Sequence, residues 1–69
     1  MVNINKQVGA RIREWRIRRG LTQEELAHRS ELDYSYVNQI ENGKRNPSLR
    51  AIDRLARALG VTANDLIAF

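Results

Sequence analysis

The chain of 69 residues contains no cysteine. That excludes a disulfide framework and any thiolate metal site, and it agrees with a reducing compartment. The single histidine, His28, stands beside Glu24, Glu25 and Arg29, with no second imidazole and no carboxylate cluster to complete a metal site. It reads as an exposed helix residue, so no metal and no cofactor are expected. Gly20, Gly43 and Gly60 follow predicted helices and Gly9 lies inside one, so no glycine-rich loop is present to cradle a phosphate. No candidate nucleophile has an adjacent base, and the chain does not read as an enzyme. The longest unbroken apolar run, Leu66 to Phe69, is far short of the roughly 20 residues that cross a bilayer. The first six residues also lack the apolar segment of a secretory signal. The sequence therefore reads as that of a soluble, cytoplasmic protein.

What is present is enough apolar residue, 42%, for one core. A chain this short buries only about 60% of its unfolded surface, so the core must be closely packed. With no linker, repeat or low-complexity stretch, residues 1–69 read as a single domain. Twelve Lys and Arg against eight acids give a net charge of +4. That excess points to a polyanionic partner, nucleic acid before an acidic membrane surface.

Hydrophobic spacing predicts five helices and no strand. Ile4, Val8, Ile12 and Trp15 share one face of a first helix, closed by Gly20. Thr22 and Glu25 have the spacing of a capping box, and Leu21 with Leu26 that of a hydrophobic staple, so a second helix is expected from about residue 23 to 29. Asp33 suits the N-cap of a third helix, which turns Val37, Ile40 and part of Tyr36 inward and stops at Asn42-Gly43. A polar loop leads to Pro47-Ser48 and a fourth helix burying Ile52, Leu55, Ala56 and Leu59. Thr62 and Asp65 cap a last short helix with Leu66 and Ile67. The membrane alternative is weak, because the apolar face of the basic first helix is needed in the core.

Residues 22–43 carry the functional signal. Two short helices meet at a tight turn, with the small Ala27 where they must approach closely, which is the geometry of a helix-turn-helix. Gly20-Leu21-Thr22-Gln23-Glu24-Glu25-Leu26-Ala27, then Tyr36-Val37, then Ile40-Glu41-Asn42-Gly43-Lys44-Arg45-Asn46-Pro47-Ser48-Leu49, resembles the Cro/repressor-type (Xre) helix-turn-helix family. Ala58-Leu59-Gly60-Val61 matches as well, so the resemblance covers about residues 8–67. It implies an all-α, compact five-helix lambda-repressor-like domain that binds double-stranded DNA. Glu31 departs from the pattern, standing where the family usually has glycine. If its φ is positive, it costs roughly 1 kcal/mol. Trp15 fills a position more often leucine, so local repacking is expected there.

The third helix presents Tyr34, Ser35, Asn38 and Gln39 on the face opposite its core residues. Asn and Gln can pair with adenine through two hydrogen bonds, and Ser can donate or accept. By resemblance these four are the base readers; the plain alternative is the solvated side of an amphipathic helix. Gln23, in the first turn of the second helix, and Asn42, Lys44, Arg45 and Asn46, just after the third, are the expected phosphate contacts. The plain alternative for Lys44 and Arg45 is a solvated charge pair. The resemblance also pairs Arg16 with Glu41 in a structural salt bridge, while Arg11, Arg13, Arg18 and Arg19 are expected to be solvated or to supply long-range attraction.

One module of this size covers little DNA, and the family usually works as a two-fold dimer on a palindromic operator. Leu66, Ile67 and Phe69 are the candidate dimer interface, with Phe69 alternatively a frayed cover for the core. The expected role is a sequence-specific transcriptional regulator reading the major groove. Because the chain ends soon after the fifth helix, a stand-alone regulator is favoured, for example a restriction–modification controller or a mobile-element repressor. The alternative is an antitoxin-type interaction module that also represses its own operon.

Overall fold

The computed structural model describes residues 3–69. Its five helices are α1 (Ile4–Arg18), α2 (Gln23–Ser30), α3 (Tyr34–Glu41), α4 (Leu49–Leu59) and α5 (Ala63–Ile67), with no strand among the described residues. Each helix starts where a short polar side chain satisfies an otherwise free backbone N–H. Both expected capping boxes form, Thr22 with Glu25 and Thr62 with Asp65. Asp33 accepts from the backbone of Ser35, and Ser48 from that of Ala51. Asn3 caps α1 by accepting from Lys6 N.

All five helices contribute to one core. Ile12, Leu26, Val37, Ile40, Leu55, Leu59 and Leu66 are fully buried, with Trp15, Leu32 and Tyr36 packed at its margin. Ile4 departs from expectation. It is 56% exposed and lines a groove together with Leu49 and Ile67. No helix among the described residues is long and apolar enough to cross a membrane.

Two backbone features orient α3. Glu31 ends α2 in the left-handed conformation at φ 56°, as the missing glycine had suggested. The strain is tolerated because the turn closes well: Leu32 N donates to Ala27 O at 2.9 Å, and Arg54 donates to the Glu31 carbonyl at 3.2 Å. The second feature is Gly9, buried in α1 against the end of α3. A Cβ there would collide with the Ile40 carbonyl oxygen and lie 2.9 Å from that of Glu41. Only glycine lets α1 approach this closely. Ala27 is buried as expected, but the tightest backbone approach was not anticipated.

Of the arginines of α1 expected in solvent, Arg13, Arg18 and Arg19 are exposed and Arg11 is half-buried. Arg11 and Arg19 also tie α1 to a distant helix, which was not expected. Arg11 donates to the Asp65 carbonyl at 3.0 Å, and Arg19 to the Leu59 carbonyl at 2.8 Å. Leu59 is the last residue of α4, where free carbonyls and the helix dipole favour a cation. Arg18 and Arg19 also lie over the Trp15 ring, at 5.0 and 5.1 Å from its centre. Much of the positive charge on α1 therefore holds the fold together.

Candidate nucleic-acid interface

Val37 and Ile40 fix the rotation of α3, since both are completely buried. That rotation leaves Tyr34 and Ser35 exposed and Asn38 and Gln39 half-buried on the outer face. The four residues thus share one side of α3, with Tyr34 and Ser35 open to solvent and Asn38 and Gln39 covered only in part.

Behind this face lies a buried ion pair. Arg16 Nε donates to Glu41 Oε2 at 2.7 Å and Arg16 Nη2 to Glu41 Oε1 at 3.0 Å. Arg16 Nη1 donates to the Leu21 carbonyl at 2.9 Å. The two side chains are only 13% and 1% exposed. The fork joins α1 to the last residue of α3 and to the segment that leads into α2. A planar guanidinium suits this task, because it meets both carboxylate oxygens and still has a donor to spare.

The pair also anchors a chain of amides. Gln23 Nε2 donates to Glu41 Oε1 at 3.1 Å, and Asn38 Nδ2 donates to Gln23 Oε1 at 3.0 Å. Asn42 Nδ2 then donates to Asn38 Oδ1 at 3.2 Å. Gln23, expected to touch phosphate, therefore has both polar ends of its side chain engaged within the protein. Sequence reasoning missed this bridge, because nothing local relates Gln23 to a residue 15 positions on.

The loop after α3 is organised as well. Gly43 has φ 71°, and Lys44 N donates to the Gln39 carbonyl at 2.9 Å. Arg45 donates to Gln39 Oε1 at 3.2 Å and lies 5.1 Å from the centre of the Tyr36 ring. The Tyr36 hydroxyl in turn accepts from Ser48 N at 3.1 Å, joining α3 to the start of α4. Lys44 and Asn46 are exposed. The loop cations and the outer face of α3 adjoin, with Gln39 hydrogen-bonded to Arg45 at the junction.

Other expected residues fall elsewhere. His28 is exposed on α2. Glu25 and Asp65 accept hydrogen bonds from the backbones of Thr22 and Thr62, which lower both carboxyl pKa values. At the C-terminal segment, Leu66 is wholly buried in the protein's own core. It must be removed from the candidate dimer interface, because a side chain already inside one core has no surface for a second subunit. Ile67 and Phe69 remain exposed, at 43% and 59%, and the Arg11 guanidinium lies 5.0 Å from the centre of the Phe69 ring.

Comparison with known proteins gives consistent results. A family model described as Helix-turn-helix matches residues 12–66. An uncharacterized HTH-type transcriptional regulator of Sinorhizobium fredii is 38% identical over 66 residues, spanning 96% of this chain and 86% of the relative. The control protein C.BamHI of Bacillus amyloliquefaciens is 38% identical over 68 residues, spanning 97% and 84%. Among solved structures, the restriction-modification controller protein C.AhdI of Aeromonas hydrophila superposes with a TM-score of 0.88 at 47% identity, over 90% of this chain and 94% of that one.

Proposed function

The chain belongs to the Cro/C1-type helix-turn-helix family of DNA-binding transcriptional regulators, and from that premise we propose that it reads a specific duplex sequence by laying α3 in the major groove. Tyr34, Ser35, Asn38 and Gln39 contact base edges. Lys44, Arg45, Asn42 and Asn46, together with the N-terminal turn of α2 at Gln23, hold the flanking phosphates. The observation that carries this reading is the accessible polar face of α3, rigidly set by Val37, Ile40 and the Arg16–Glu41 fork. Phosphate contacts supply affinity and register, while base contacts supply discrimination.

The protein acts in the cytoplasm as a homodimer on a palindromic site, by binding and not by catalysis. Support for the dimer comes from the exposed apolar residues Ile67 and Phe69, with Ile4 and Leu49 nearby on the groove rim. Two-fold pairing would space the α3 helices by about 34 Å, one turn of duplex. Among the relatives, two controller proteins match over most of their own length, which favours a regulator of the controller kind. Selection from a pool of random duplexes tests the proposal. The expected result is an enriched palindrome; a pool that remains random after repeated rounds contradicts it.

A further inference from the structure

We infer that Gln23 is a positioning residue for base reading: through it, the buried Arg16–Glu41 pair fixes which way round the Asn38 carboxamide faces the duplex. The inference rests on α3 being the reading helix. A terminal amide has two flip states of nearly equal shape, with donor and acceptor exchanged. On an exposed helix face nothing chooses between them. Here the choice starts at Glu41, whose ionised carboxylate can only accept hydrogen bonds.

Gln23 must therefore turn its NH2 group to Glu41 Oε1, at 3.1 Å, which leaves its oxygen toward Asn38. That oxygen in turn requires the NH2 end of Asn38, found at 3.0 Å. The Asn38 oxygen then faces Asn42 Nδ2, at 3.2 Å. Reversing Asn38 alone would set oxygen against oxygen at Gln23 and NH2 against NH2 at Asn42. One buried anion thus sets the donor–acceptor direction of the Gln23, Asn38 and Asn42 amides.

Direction matters because major-groove edges are read as ordered patterns of donors and acceptors. Asn38 still has one N–H and one oxygen lone pair free after its two internal bonds. Held in one flip state, that remaining donor and acceptor meet a base in a fixed order, toward α2 and toward the end of α3 respectively. A freely flipping amide would accept both orders and discriminate poorly.

The test compares selected duplex logos for the wild type, Asn38→Ala and Gln23→Ala. Asn38→Ala identifies the base position that Asn38 reads. Gln23→Ala is expected to keep the fold, verified by its thermal melt, and to weaken the preference at that one position. The discrimination at stake is roughly 5- to 150-fold, that of a bidentate contact, and the preferences read by Ser35 and Gln39 should persist. A Gln23→Ala protein that binds every sequence more weakly, with its logo unchanged, overturns the inference, since that is the signature of a phosphate or purely structural role. The same holds if Asn38→Ala alters no position. A wild type that selects no site would instead defeat the base-reading proposal itself. The lock can also be examined without DNA: nuclear Overhauser contacts in the free protein should place the Asn38 Nδ2 protons beside Gln23. Finding them beside Asn42 overturns the inference even if duplex binding stands.

Discussion

Replacing Arg16 by alanine leaves Glu41 with its side chain 1% exposed and its main counter-ion gone. A stranded buried charge typically costs about 3–5 kcal/mol. The lower end applies here, because Gln23 Nε2 remains to donate to Glu41 Oε1. The chain has 69 residues, and typical stabilities per residue give it roughly 3–10 kcal/mol in all. A loss near 3 kcal/mol is thus a large part of the whole. For a domain of this size it lowers the melting temperature by roughly 12–24 °C. Thermal melts followed by circular dichroism read this directly. The double variant Arg16→Met with Glu41→Leu isolates the cause. It removes both charges and fills the space, and it should return to within about 1 kcal/mol of the wild type, since buried pairs contribute little net stability. A single variant that melts within 3 °C of the wild type (in the terms of about 4–8 °C per kcal/mol) would refute the reasoning. So would a double variant no more stable than the single one.

Gly9→Ala gains helix propensity but drives a methyl into the Ile40 carbonyl; a net loss of about 1–3 kcal/mol is expected from overpacking, measured by urea denaturation. Glu31→Gly relieves the left-handed strain at φ 56° and should stabilise the domain by up to about 1 kcal/mol, less what the unfolded chain gains in freedom; a destabilised variant would contradict that account. Lys44→Ala should weaken binding to all duplexes alike and reduce the logarithmic salt slope by about one, and an unchanged slope would remove its phosphate role. Glu25 and Asp65 both have pKa values lowered in the folded state, so their capping stabilises above the ordinary carboxylate range and is lost as pH falls through the folded values. Melts below pH 4.5 should therefore decline less steeply for Glu25→Gln with Asp65→Asn than for the wild type.

The features legible in the sequence are the ones written locally. Thr22 with Glu25 and Thr62 with Asp65 are each three residues apart, and both capping boxes form. The i, i+3, i+4, i+7 spacing of Ile52, Leu55, Ala56 and Leu59 fixes the buried face of α4, and all four are buried. Glu31 was recognisable as strained because its position in the motif calls for glycine. The Arg16–Glu41 fork was legible only through the family resemblance, since it spans 25 residues.

What remained hidden depends on how the helices pack. Arg11 reaches a carbonyl 54 residues away and Arg19 one 40 residues away, and no periodicity encodes such contacts. Gly9 read as an ordinary helix residue until α3 was placed against it. Leu66 and Ile67 are neighbours of similar hydrophobicity, yet the register of α5 buries the first and exposes the second. On the candidate interface, composition and spacing gave the outward face of α3. The direction of its amides needed the buried carboxylate behind it.

The claim that α3 carries recognition is tested most directly by titrating the isotopically labelled protein with its selected duplex and following every amide. The largest shifts should fall on Tyr34, Ser35, Asn38 and Gln39, with smaller ones at the start of α2 and at Lys44 to Asn46. Shifts concentrated on α1 or α5, with α3 unmoved, would contradict the account.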